Sequence, residues 1–214
     1  MASIAALKPL FPGFNEIMFF TNQISTQTRG VDLVASYKGQ ISPKSRLTAS
    51  LALTINKTLI SNVKATPAAL QQDTKNAVIL IDTVSRGLIE TSQPHTKILA
   101  SVNYQVGKFG VTLRGTYFGE VTAWEKLTAP VAGTSNLHRS QTFGGKTLFD
   151  LSVNYAFTKF LGLTLGGNNI TDVYPDRVYS NYASYTNGQV PHSRNVNQFG
   201  FNGSYYYGTL ALNF

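Results

Sequence analysis

The sequence predicts an all-β protein, a transmembrane antiparallel up-and-down β-barrel. Three observations carry that expectation. Period-two alternation recurs along the chain, charge is scarce while Ser, Thr, Asn and Gln are abundant, and an aromatic, Phe214, closes an alternating segment. Alternation is what a strand shows when one face meets an apolar medium and the other a polar one. Charged residues make up 13% of the chain, about half the share of a soluble domain. A mean hydropathy of −0.06 is too polar for a bundle of membrane helices, and no run of about 18 uncharged apolar residues occurs. A barrel reconciles the two, because only alternate residues need to be apolar.

The elements follow in chain order. Residues 1–27 read as a partial strand and loop at a truncated N-terminus, with a candidate strand from Phe14 to Asn22. Met1 to Leu10 lacks a basic start and reaches Lys8 and Pro9 early, so it does not read as a signal peptide, and the true N-terminus is expected upstream. Val31, Leu33, Ala35 and Tyr37 then alternate with Asp32, Ser36 and Lys38, and Ser42-Pro43-Lys44-Ser45 forms a tight turn. From Arg46 to Thr58, Leu47, Ala49, Leu51, Leu53 and Ile55 alternate with Arg46, Thr48, Ser50, Thr54 and Asn56. That span matches a tilted membrane strand better than the roughly five or six residues usual in a soluble sheet.

A second pair has Ile98, Ala100, Val102, Tyr104 and Val106, then Phe109, Val111, Leu113 and Tyr117, turning at Gly107-Lys108. A third has Phe149, Leu151, Val153, Tyr155 and Phe157, then Leu161, Leu163 and Leu165, linked by Thr158-Lys159. The last strand is expected from Gln198 to Phe214. It carries Tyr206, Leu210, Leu212 and Phe214 on one face and Tyr205, Tyr207, Thr209 and Asn213 on the other. The total is seven strands, or eight with the first candidate, since single-chain bacterial barrels have even numbers.

Long polar segments, Ile60 to Pro94, Val121 to Lys146 and Asp172 to Asn197, separate the hairpins. Outer-membrane barrels have short periplasmic turns and long extracellular loops, which orients the chain. Tyr37, Tyr104, Phe109 and Phe157 then form a periplasmic aromatic girdle. The inward positions are small and hydrogen-bonding, with Asp32, Lys97, Arg114 and Asp150 among them, and suit a wet or plugged lumen.

Four stretches resemble TonB-dependent outer-membrane receptors. LTLGGNNITDVYPDR, from Leu163, is similar to the penultimate strand and following loop, with Asn169, Asp172, Tyr174 and Pro175 carrying the match. TRGVDLVASYK, Thr28 to Lys38, resembles a strand opening on a Gly-Val-Glu/Asp element. Gln93 to Glu120 resembles a Pro-then-strand hairpin ending in Tyr-Phe-Gly-Glu, and Tyr205 to Phe214 the receptor C-terminus. In that family a barrel of about 22 strands is filled by an N-terminal plug. The resemblance therefore implies that residues 28–214 are the C-terminal part of such a barrel, with the plug absent. It implies an outer-membrane protein of a Gram-negative bacterium, taking part in uptake of a scarce nutrient, a ferric siderophore or other iron complex. Its partners would be outer-membrane lipid and lipopolysaccharide, the barrel-assembly machinery through the C-terminal strand (Tyr206, Leu210, Leu212, Phe214), and the TonB complex only through the absent plug. The alternatives are a small stand-alone barrel, acting as pore, adhesin or structural protein, and an outer-membrane hydrolase.

Candidate ligand residues are the aromatics and cations of the long loops: Trp124, Tyr174, Arg177, Tyr179, Tyr182, Tyr185, His192 and Arg194. Arg with Tyr suits an anionic, catechol-like ligand through charge-assisted hydrogen bonds and stacking. The structural alternatives are a loop packed on its neighbours and, for Trp124, an interface anchor. Asn169 to Tyr174 reads as a local hydrogen-bonded turn out of a strand. His95, His138 and His192 fall in three loops without ligand spacing, so no metal site or cofactor is expected. Ser140 beside His138 is the nearest thing to a nucleophile and base, and no G-x-S-x-G occurs, so no catalytic residue is expected and the chain does not read as an enzyme. Eighteen Lys and Arg against ten Asp and Glu give a charge of +8. They are scattered singly, which argues against nucleic acid. Cysteine is absent, which excludes disulfide and thiolate chemistry.

Overall fold

The computed structural model describes residues 22–65, 81–126, 138–179, 191–193 and 195–213. In chain order they form β1 (Ile24–Ser42), β2 (Ser45–Val63), α1 (Thr83–Glu90), β3 (Thr96–Val106), β4 (Phe109–Phe118), β5 (Val121–Lys126), β6 (His138–Phe143), β7 (Lys146–Ala156), β8 (Leu161–Asn168) and β9 (Tyr205–Leu212). Seven strands make one sheet in the order β1-β2-β3-β4-β7-β8-β9, and β5 and β6 pair separately. Every pairing is antiparallel. Pro43-Lys44, Gly107-Lys108 and residues 157–160 therefore lie at one end of the sheet, and all long connections at the other.

The register sorts the side chains into two faces. Leu33, Leu53, Ile98 and Tyr117 stand in one cross-strand row. Tyr37, Ala49, Val102, Leu113 and Leu151 make a second, and Leu47, Tyr104, Val111, Val153 and Leu165 a third. On β9, Tyr206, Leu210 and Leu212 pair with Gly167, Leu163 and Leu161 and extend the same face. The opposite face carries Ser36, Ser50, Ser101, Arg114 and Asp150 in one row. Hydrogen bonds link neighbouring strands there, Ser50 Oγ to Ser101 Oγ at 2.7 Å and Asn103 Nδ2 donating to Thr112 Oγ1 at 2.7 Å.

The apolar face is uncovered: Leu33 is 52% exposed, Leu113 44% and Leu165 57%. An exposed apolar face of this extent marks a surface that meets a membrane or another protein. Tyr104, Phe109, Tyr155 and Phe157 gather near the short turns, with the Tyr155 and Phe157 rings edge to face at 5.0 Å. Among the described residues, no helix is long and apolar enough to cross a membrane.

The compact core sits at the loop end instead, where Val121, Ala123, Phe143 and Val196 are buried and Val178 packs against them. Four boundaries depart from the sequence expectation. The segment Val121 to Lys146 holds β5 and β6, and Ile60 to Pro94 holds the end of β2 and α1. β1 starts at Ile24, within the N-terminal 1–27 segment, and β9 at Tyr205 rather than Gln198. Gln198 is buried because its amide donates to the carbonyls of Gly119 and Gly144, 3.0 Å to the latter, which anchors this segment to the loop core. Of the strand expected over Phe14 to Asn22, residues 14–21 lie outside the described residues.

Candidate functional site

The loop end is assembled on β5. Two of its residues, Thr122 and Trp124, are each held by another segment. Thr122 N donates to Thr91 O at 2.9 Å, and the Thr91 hydroxyl lies 2.9 Å from Thr122 O and 3.0 Å from Gly87 O, serving one of them at a time. α1 begins at Asp82, whose carboxylate caps the helix by accepting from Ser85 N at 2.8 Å. That backbone hydrogen bond holds Asp82 below the ordinary carboxylate range. Trp124 packs its ring directly on Gly87 of α1. Glu90, in the last turn, accepts from Ile60 N at 2.8 Å and ties α1 to the far end of β2.

The segment after β8 is held from the other side. Gln141 of β6 donates to Arg177 O at 2.8 Å and accepts from Tyr179 N at 3.1 Å. Asp176 receives Lys146 Nζ at 2.6 Å and the amide of Gly144 at 2.7 Å. Burial pushes the Asp176 carboxyl up, but the Lys146 hydrogen bond, the Gly144 amide and the Lys146 charge outweigh it and hold it below the ordinary value. His192 is buried, its ring near-parallel to Tyr174 (6.3 Å, 6°) and to Phe201 (6.0 Å, 21°).

The residues singled out in the sequence fall as follows. Tyr174 and His192 meet in that stack. The Tyr174 hydroxyl is hydrogen-bonded to Asp172, which raises its pKa by favouring the protonated phenol. Arg177 and Tyr179 are exposed beside it, joined to β6 through their backbones. Trp124, on β5, packs instead on Gly87 of α1. Tyr182, Tyr185 and Arg194 lie outside the described residues, as does Phe214, while Tyr206, Leu210 and Leu212 stand on the apolar face of β9. Among the described residues no cluster of His, Cys, Asp and Glu could hold a metal ion.

A cleft of about 390 Å³ opens between α1, the start of β3 and the β4–β5 junction, lined among others by His95, Thr96, Tyr117, Glu120 and Thr122. In the sequence, Tyr117 and Glu120 stand only at the end of a strand. No local spacing joins them to His95, because the pairing of β3 with β4 brings them together.

No protein-family profile and no curated protein matches the chain. Among solved structures, the ferripyoverdine receptor of the outer membrane of Pseudomonas aeruginosa, bound to ferripyoverdine, is similar at a TM-score of 0.51 and 15% identity. That likeness covers 96% of this chain and 22% of the receptor. P. aeruginosa FpvA bound to heterologous pyoverdines gives 0.52 and 15% over the same shares. The FpvAI–pyocin S2 complex gives 0.50 and 14% over 88% of this chain and 19% of that one. The chain thus spans about a fifth of the length of these receptors. Its fold is that of a portion of an outer-membrane receptor β-barrel.

Proposed function

We propose that this chain is a wall segment of an outer-membrane receptor of a Gram-negative bacterium, its apolar face in lipid and its polar face toward the lumen. The receptor takes up a scarce nutrient, a ferric siderophore or other iron complex, in a TonB-dependent way, and does no catalysis. One observation carries the reading. Seven strands share a register that separates an uncovered apolar face from a hydrogen-bonded polar one, with every short turn at the same end. In lipid a strand must pair its backbone in a sheet, and only its outward side chains need be apolar. The iron complex is supported by the iron–pyoverdine complexes bound in two of the similar structures, and by the net charge of +8, which favours an anionic ligand.

The chain has no cysteine, so single cysteines test the placement directly. On intact cells of the source bacterium, Lys126→Cys at the loop end is expected to react with a membrane-impermeant maleimide. Lys108→Cys at the turn end reacts only after the outer membrane is opened. The reverse order overturns the orientation, and no reaction at either position overturns the location. Expression that rises severalfold on iron starvation supports the nutrient class, and expression indifferent to iron removes it.

A further inference from the structure

We propose that the cleft beside α1 binds a neutral, hydroxyl-rich ligand, a saccharide, on the outside of the wall rather than in the lumen. Tyr117 belongs to the apolar row of Leu33, Leu53 and Ile98, so the cleft opens just above that face. Its volume of about 390 Å³ falls within the roughly 300–1,000 Å³ of ligand pockets. Most such pockets are apolar, whereas this one is lined by His95, Thr96, Tyr117, Glu120 and Thr122.

The chemistry of the lining selects the ligand. Among the described residues, the Tyr117 hydroxyl, the Glu120 carboxylate and the Thr96 hydroxyl make no hydrogen bond, so their capacity is open to a ligand. His95 Nε2 lies 3.0 Å from Glu90 O, which can only accept. Nε2 therefore carries the hydrogen and donates to that carbonyl. A carboxylate acceptor beside two hydroxyls calls for several O–H donors at close spacing. Among the described residues of the lining, Glu120 is the one formally charged group, which disfavours phosphates and carboxylates. The cations that flank the adjoining strand position are committed on the opposite face: in register with Phe118, Lys97 lies over the Phe118 ring and Lys146 pairs with Asp176. The saccharide could belong to lipopolysaccharide of the outer leaflet or be free. The leaflet source rests on the apolar face being lipid-facing; the chemistry of the cleft does not.

Trp124 is the only tryptophan of the chain, and it packs on α1 next to the cleft, so its fluorescence reports binding. The full chain in detergent is titrated with a neutral hexose oligosaccharide of the outer-core type, and with inorganic phosphate and spermidine as competing chemistries. Saturable oligosaccharide binding is expected, weakened at least about tenfold by Tyr117→Phe and by Glu120→Gln. Both changes are near-isosteric, and unchanged far-ultraviolet dichroism separates them from misfolding. Binding indifferent to both substitutions, or tighter binding of phosphate or spermidine, overturns the site. In vesicles, free oligosaccharide should alter Trp124 fluorescence with phospholipid alone but not with full-core lipopolysaccharide, whose own sugars fill the cleft. An equal response in both overturns the leaflet source and favours a free saccharide, leaving the detergent result to decide the cleft by itself.

Discussion

Asn169 and Asp172 both take positive φ, 49° and 53°, a region that Asn and Asp tolerate better than most side chains. Asn169 is buried and closes a ring with Val173, its Oδ1 accepting from Val173 N at 3.0 Å and its Nδ2 donating to Val173 O at 2.8 Å. Its own amide donates to Asp150 of β7 at 2.8 Å, and Asp172 Oδ1 accepts from Ser204 N at 2.9 Å. The motif is thus a clamp that turns β8 into its loop and fixes the approach to β9. Asn169→Ala removes both ring bonds and puts Ala in a left-handed conformation, a cost of about 2–3 kcal/mol. Hydrogen exchange should show the Val173 amide losing at least about tenfold in protection, while amides in the middle of β3 and β4 keep theirs. Unchanged protection at Val173 would mean that the ring contributes nothing. The local half of this clamp was legible in the spacing of Asn169, Asp172 and Tyr174. Asp150 and Ser204 were not, because strand pairing rather than sequence proximity delivers them.

α1 and the β5–β6 hairpin show where periodicity stops being informative. The seven sheet strands alternate visibly because one face needs apolar side chains at every second position. β5 and β6 have six residues each, and their buried positions mix Val121, Ala123 and Phe143 with Glu125 and Gln141, too short and too mixed a run for alternation to show. They therefore read as polar loop. α1 has eight residues and an interior Gly87, which lowers helix propensity, yet that glycine is what allows contact. A Cβ there would fall on Cδ1 of Trp124 and within 2.9 Å of its Cγ. Gly87→Val should thus lift α1 from β5 despite the lost glycine. The expected readout is a red shift and stronger quenching of Trp124 emission, with faster exchange of the Ile60 amide that Glu90 holds. Sheet dichroism should be unaffected, because α1 contributes no strand. An unaltered Trp124 spectrum would show that the ring does not rest on the helix.

Taken as a whole, the molecule puts its buried core at one end and leaves its largest apolar surface uncovered along the sheet. Among the described residues, β1 and β9 each pair with one neighbour only, so the sheet has two edges with backbone donors and acceptors to satisfy. In water the exposed face and the two edges together favour aggregation. In hydrocarbon the edges must find partners, from each other or from further strands, while the apolar face is at home. The two faces therefore make opposite demands at positions one residue apart. Leu113 is flanked by Val102 and Leu151 on the apolar face, and Ser101 sits between Ser50 and Arg114 on the polar one. With both edges paired in phospholipid vesicles, Leu113→Arg should cost about 2–4 kcal/mol, since an arginine near the bilayer midplane meets hydrocarbon. Ser101→Arg should cost less, about 1 kcal/mol from the like charge of Arg114 opposite and the lost Ser50 hydrogen bond, because its guanidinium stays in water. Equilibrium unfolding by guanidinium in the vesicles measures both. A larger cost at Ser101 than at Leu113 would reverse the faces, and with them the lipid and lumen sides of the wall.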